Sequence, residues 1–179
     1  MSGTITTAED EKEVINLETA VVTLLKENKL TLATAESCTG GMVTARLVNV
    51  AGVSDVLNEG FVTYSNKAKR KYLGVKKNSL QKYGAVSETV AKEMAKGACI
   101  FTKADASIAV TGIAGPDGGT KEKPVGLVYI ACCVCKKTTV KEYRFSGERM
   151  KIRESSTTAA LTLLRECLLE YLSKKKRKR

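Results

Sequence analysis

Apolar residues recur at helical spacing in three segments of this chain, over residues 8–28, from Ser87 onward and over 149–172. Their apolar side chains fall three or four positions apart, which is the period of an amphipathic helix. Thr7 and Asp10 resemble a capping box before the first segment, and Ser87 has a side chain suited to an N-cap. These segments are therefore predicted to be α-helices.

Short apolar or alternating runs between these helices predict β-strands. The five predicted strands cover residues 30–35, 58–64, 106–110, 125–135 and 138–145. A shorter helix is predicted over 42–50, and the last two strands form a hairpin that turns at Lys136 and Lys137. Because helices and strands alternate over most of the length, we expect one three-layer α/β/α domain with a mixed sheet.

Six of the eleven net positive charges lie at the carboxyl end, in residues 174–179. We expect the domain to occupy residues 8–172, with an extension at 1–7 and a basic tail at 173–179. Adjacent like charges repel one another, so the tail is predicted to be a solubilising extension of the last helix or, alternatively, a nuclear-import or polyanion-binding arm. The moderate charge of the remaining chain suits a small anionic ligand as well as a nucleic acid.

Composition excludes several classes of site. The sequence contains no histidine, which excludes Ser-His-Asp triads, Cys-His dyads and histidine-ligated metals. It contains no run of about 18 apolar residues, so no membrane helix is expected, and its first residues lack the features of a secretory signal. The six cysteines do not have zinc-site spacing. We expect reduced, mostly buried thiols in a cytoplasmic protein without metal or cofactor.

Two glycine-rich turns, at residues 37–41 (SCTGG) and 111–115 (TGIAG), each follow a predicted strand. Ligands of open α/β sheets bind at the carboxyl ends of the strands, and glycine amides can approach an anion closely. Neither turn has the spacing of a Walker A or dinucleotide-binding motif. Each turn could also serve only to shape a connection, so the pattern indicates an anion site without identifying the ligand.

Candidate catalytic residues surround the first turn. Ser37 lies at the sharp bend before a predicted helix, where its hydroxyl would be exposed beside backbone amides. Without histidine the base must be another group, and burial could lower the pKa of a lysine enough. Basic residues crowd after Tyr64, which could relay a proton: Lys67, Lys69, Arg70 and Lys71. The alternatives are a solvated basic helix face, and Cys38 either as a rival nucleophile or as a small buried residue.

Six separate blocks of sequence resemble the CinA C-terminal domain family, the family of nicotinamide-nucleotide amidases. The blocks cover residues 35–41, 60–69, 84–87, 110–119, 123–126 and 145–149. They occur in the family's order over most of the chain. The basic tail and the three cysteines at 132, 133 and 135 depart from the family pattern.

The resemblance implies a metal-free amidohydrolase that converts nicotinamide mononucleotide to nicotinate mononucleotide and ammonia, as a dimer or higher homo-oligomer. It implies Ser37 as nucleophile with Lys69 and Tyr64 as activating partners. The residues implied to bind substrate are Cys38, Thr39, Gly40, Gly41, Thr111, Gly112 and Arg149. The chain is too short for the extra nucleotide-hydrolase domain of many members, so that second activity is expected to be absent.

Two other functions remain open from the sequence. The first is a catalytically silent nucleotide-binding module that uses the same pocket, although a pure binder has no need of a nucleophile and a base. The second is a nucleic-acid-associated protein, which rests mainly on the basic tail.

Overall fold

A computed structural model describes residues 16–177. The first half contains α1 (Leu17–Glu27), β1 (Leu32–Glu36), α2 (Met42–Val48), a 3₁₀ turn (Val53–Asp55), β2 (Leu57–Val62), α3 (Asn66–Leu73) and α4 (Lys77–Tyr83). The second half contains α5 (Glu88–Thr102), β3 (Ala106–Gly112), β4 (Leu127–Val134), β5 (Lys137–Arg144) and α6 (Arg149–Lys176).

The strands form one mixed sheet in the order β2-β1-β3-β4-β5. β1 is parallel to both β2 and β3, whereas β3, β4 and β5 are successively antiparallel. Alternate side chains of the buried strands point to opposite faces. The larger apolar cluster packs the sheet against α1, α2 and α6, and a second cluster rich in alanine packs it against α3 and α5. The predicted three-layer α/β/α domain is confirmed.

The close approach of α3 to α5 depends on a glycine. A Cβ added at Gly97 would lie 1.9 Å from the carbonyl oxygen of Leu73. Any side chain at this position of α5 would therefore push α3 away from α5. Because α3 carries Lys69, this contact also affects the candidate site.

The first helix begins later than predicted. Asn16 is extended, and its side chain caps α1 by accepting a hydrogen bond of 2.8 Å from the Thr19 amide. A continuous helix from Ala8 is therefore wrong, because the cap interrupts the helical backbone at Asn16. The predicted capping box at Thr7 and Asp10 lies outside the described residues.

Two other predictions need correction. The hairpin turns at Cys135 and Lys136, which have positive φ angles of 44° and 74°, so Lys137 already belongs to β5. Two consecutive positive φ values give the turn that matches the twist of paired strands. The last helix continues to Lys176, past the predicted end at Leu172, and Lys174 pairs with Glu170 one turn earlier at 2.6 Å.

Candidate active site

Ser37 lies directly after β1, at the end of the sheet where the parallel strands β2 and β3 also finish. Its amide donates a 2.9 Å hydrogen bond to the carbonyl of Val110 in β3, and the amide of Thr63, just beyond β2, donates to the carbonyl of Glu36 at 2.8 Å. Three strands therefore fix the backbone on both sides of Ser37. The turn closes through Gly40 and Gly41, whose φ angles of 61° and 99° are left-handed.

A buried carboxylate supports this turn from below. Glu36 accepts hydrogen bonds from the amides of Gly41, Val43 and Thr44, at 2.9, 3.1 and 2.9 Å, and from the Thr44 hydroxyl at 2.8 Å. These donors lie at the start of α2, where the first amides of a helix lack intrahelical partners. Glu36 thus holds the turn and the helix together. The sequence analysis assigned it no role.

Lys69 approaches Ser37 from α3. Its Nζ lies 2.8 Å from Ser37 Oγ, 2.8 Å from the carbonyl oxygen of Thr63 and 3.4 Å from that of Tyr64. Only 1% of Lys69 is exposed. Ser65 caps this helix by accepting a hydrogen bond of 3.0 Å from the amide of Ala68. Lys69 is the fourth residue of the helix, and its side chain extends past the end of β2 to Ser37.

The environment of Lys69 suits a base. Burial lowers the pKa of its ammonium group to about 8, because the charged form is poorly solvated there. A neutral amine has two N–H donors and one lone pair. The two carbonyl oxygens can accept the donors, which leaves the lone pair for the Ser37 hydroxyl.

Cys38 fits the prediction of a small buried residue better than that of a rival nucleophile. Its side chain is buried, and burial raises the pKa of its thiol to about 11. The thiol is therefore protonated at neutral pH, and a thiol is a much weaker nucleophile than a thiolate.

The backbone amides around Ser37 differ in availability. The Gly40 amide donates to the Ser37 carbonyl at 3.2 Å, and the Gly41 amide is bound by Glu36. Within residues 16–177, the amides of Cys38 and Thr39 donate to no backbone carbonyl, and both lie beside the Cys38 sulfur. Of the predicted oxyanion donors in the 38–41 turn, these two are the ones free to bind a developing negative charge.

Tyr64 does not join the pair as predicted. Its side chain is 62% exposed, and its hydroxyl accepts a 3.2 Å hydrogen bond from Arg149. Only its backbone carbonyl contacts Lys69. Arg149 also donates to the carbonyl of Gly115 at 2.6 Å, so it connects Tyr64 to the second glycine turn and forms a cationic rim beside the site.

Thr111 and Gly112 have roles in packing. The Thr111 hydroxyl donates to the carbonyl of Ala85 at 2.9 Å, which fastens the loop before α5 to the sheet. A Cβ added at Gly112 would lie 2.6 Å from Val128 Cγ2, so glycine is needed for the approach of β4. Neither residue forms a hydrogen bond with Ser37 or Lys69. Their predicted place in the pocket stays a prediction.

Thr39 and Arg153 complete the turn. Thr39 is fully buried, so its side chain does not reach solvent as a phosphate ligand would, whereas Gly40 is exposed. Arg153, one turn into α6, donates to the carbonyl oxygens of Cys38 at 3.1 Å and Thr39 at 2.8 Å. The sequence analysis missed Arg153, although its spacing of four from Arg149 places both on one helix face.

Comparison with known proteins identifies the family. The family model for the CinA C-terminal domain matches residues 14–168. The chain belongs to the CinA C-terminal domain family. A CinA-like protein of Kosmotoga olearia is 54% identical over 154 residues, covering 86% of this chain and 37% of the relative. The chain spans 37–38% of the length of the first curated relatives it matches.

Solved structures of CinA proteins have the same fold. The competence/damage inducible protein CihA from Agrobacterium tumefaciens is 43% identical, with a TM-score of 0.82 over 85% of this chain and 93% of its own. A CinA superfamily protein from Klebsiella pneumoniae is 35% identical, with a TM-score of 0.83 over 86% and 96%. The predicted family membership is confirmed, and these names specify no reaction.

Among residues 16–177, no group of three or more Cys, Asp and Glu side chains is placed to hold a metal ion. In the same part of the chain, no helix is long and apolar enough to cross a membrane.

Proposed function

We propose that this CinA domain is an amidohydrolase that releases ammonia from nicotinamide mononucleotide by attack of Ser37. The observation that supports the proposal most directly is the 2.8 Å contact between Ser37 Oγ and the buried Nζ of Lys69. A protein that only binds a nucleotide gains nothing from burying a lysine against a serine, since burial of an ammonium group costs stability. A nucleophile paired with its base gives this arrangement a purpose.

The proposed reaction has two steps. Neutral Lys69 accepts the Ser37 proton while Oγ attacks the carboxamide carbon, and the carbonyl oxygen becomes an oxyanion beside the free amides of Cys38 and Thr39. The C–N bond then breaks as Lys69 returns the proton to the leaving nitrogen, and ammonia departs. Water attacks the acyl-serine by the same route and releases the carboxylate. Each amide donor of this kind contributes on the order of 3 kcal/mol to transition-state stabilisation.

Recognition of the nucleotide is assigned to the rim. Arg149 and the Gly40 segment of the turn are exposed, and their charge and backbone suit the phosphate. The Tyr64 ring is exposed beside Arg149, where it can cover a planar pyridine ring. Phosphate binding would orient the carboxamide toward Ser37, so the riboside without phosphate is expected to lose rate as well as affinity.

Ammonia release from nicotinamide mononucleotide, with the riboside and the dinucleotide as comparison substrates, tests the proposal. We expect Ser37→Ala to abolish turnover while nucleotide binding persists in calorimetry. Cys38→Ala is the matched control, because it keeps the backbone amide and removes the neighbouring thiol. Full ammonia release by Ser37→Ala would contradict the serine mechanism, and binding without ammonia release by the unmodified protein would favour the silent binding module. A homo-oligomer and polyanion binding by the tail stay predictions.

A further inference from the structure

Two thiols lie close together at the end of the sheet opposite the active site. Cys99 lies near the end of α5, and Cys133 lies near the end of β4 on the face that α5 covers. The two side chains belong to the same apolar cluster on that face, and each thiol shifts the pKa of the other. The two cysteines are 34 positions apart along the sequence, so their proximity is a product of the fold.

A cavity of about 440 Å³ opens onto both thiols. This volume is in the range of small-molecule sites. The cavity is lined by Lys96, Cys99, Ile100, Lys103, Ala104, Asp105, Cys133, Cys135 and Lys136. Three lysines thus face a single carboxylate, and that carboxylate already accepts two hydrogen bonds of 2.9 Å from the amide and hydroxyl of Thr31. The cavity therefore favours an anionic ligand.

The surroundings also favour the thiolate of Cys133. The neighbouring thiol of Cys99 lowers the pKa of Cys133 against the effect of burial, and the charge of Lys96 acts in the same direction. The pKa of Cys99 is raised by the same contact. Thr138 is the cross-strand partner of Cys133, and within residues 16–177 its buried hydroxyl has no hydrogen-bond partner. That hydroxyl is available to donate to a thiolate.

We propose that Cys133 and Cys99 form a thiol–disulfide exchange site for anionic low-molecular-weight disulfides. The Cys133 thiolate attacks one sulfur of the small disulfide, a new S–S bond forms, the old one breaks, and one small thiolate leaves. Cys99 then gives up its proton and attacks the Cys133 sulfur, which expels the second small thiolate. The two small thiolates take up the protons that the cysteines lost, so the small disulfide is reduced and the two cysteines are oxidised.

The fold provides an internal comparison. Cys132 and Cys167 form a second pair of neighbouring thiols on the other face of the sheet. Cys132 and Cys133 are both buried, 1% and 3% exposed, but the recess beside Cys167 measures only about 50 Å³. Both pairs join β4 to a helix, but only the Cys99 pair faces the large cationic cavity. The second pair is therefore expected to react more slowly.

The test uses the full chain, initially reduced, with oxidised glutathione as the anionic probe and hydroxyethyl disulfide as the neutral one. Intact mass and peptide mapping identify the linked cysteines over time. We expect a Cys99–Cys133 disulfide to form first, about tenfold faster with the anionic probe than with the neutral one. Cys99→Ser should stop at a mixed disulfide on Cys133, and Lys96→Gln with Lys103→Gln should remove most of the difference between the probes.

Cys135→Ser is the matched control, since it removes a thiol from the same cavity and should leave the reaction unchanged. Thermal unfolding of every variant confirms that it is folded. Equal rates for the two probes, or first reaction at Cys135 or Cys167, would overturn the proposal. Absence of any Cys99–Cys133 linkage in the folded chain would do so as well.

Discussion

Replacing Lys69 by methionine tests whether the buried lysine destabilises the fold in order to act as a base. The side chain is almost fully buried, and its pKa falls from the 10.5 of a solvated lysine to about 8. The interval between these values corresponds to about 3 kcal/mol, which is the cost of keeping the charged form in the folded state. The same interval predicts how that cost changes with pH.

The direction in which the free energy of unfolding changes with pH follows from proton binding. Between pH 8 and 10.5 the lysine is protonated in the unfolded chain and neutral in the folded one, so the unfolded state binds more protons and stability rises with pH. Lys69→Met lacks this contribution. The free energy of unfolding of the original chain should therefore increase relative to the variant by about 2.5 kcal/mol between pH 7 and pH 10. Hydrogen bonds lost at Ser37 and Thr63 add a constant that does not change with pH.

Urea unfolding of both proteins at several pH values measures the difference directly. Lys67→Met is the matched control, because it removes an exposed lysine from the same helix and should leave the pH dependence unchanged. Comparison with a variant also cancels the titration of tyrosines and cysteines common to both chains. A difference between the original chain and Lys69→Met that stays flat from pH 7 to pH 10 would refute the argument that Lys69 is neutralised by burial.

Three other predictions concern activity. Ammonia release should rise with pH to a plateau with its midpoint near the Lys69 pKa of about 8, and Lys69→Arg should abolish it because arginine stays protonated; pH–rate profiles measure both. Arg153→Gln should lower kcat by about tenfold with little change in KM in steady-state kinetics, because it frees the carbonyls that orient the oxyanion amides. A change in KM alone would show instead that Arg153 binds substrate. Truncation after Leu172 should leave kcat unchanged while reducing retention on a polyanionic resin.

The sequence predicted elements whose apolar residues have a clear period. α5 begins at Glu88, directly after the expected cap Ser87, because the serine cap and the apolar period agree there. α4 was missed, since the segment KNSLQKY over Lys77–Tyr83 contains one aliphatic residue and no period. The hairpin turn was placed one residue late, because Cys135 continues the apolar run that predicts β4 and Lys136 is the first polar residue after it. Only the backbone angles at Cys135 and Lys136 locate the turn.

The site was predicted only in part, for a physical reason. Ser37 and Lys69 are 32 positions apart, and their contact depends on the packing of α3 against α5, which periodicity does not specify. Tyr64 was placed correctly in the backbone, but its side chain turns outward to Arg149. Glu36 was overlooked because an acidic residue at the end of a buried strand gives no sign of the four hydrogen bonds that its carboxylate accepts.

The proposed base is held next to the edge strand β2, so the site depends on that strand staying paired. Lys69 is held by the carbonyls of Thr63 and Tyr64, and these follow β2, an edge strand with mostly exposed side chains. Ser37, in contrast, continues β1 in the middle of the sheet and bonds to β3. Edge strands open more readily than central ones. Local opening of β2 would therefore separate base from nucleophile while the core around Ser37 stays intact, so activity should be lost at lower denaturant concentration than the fold.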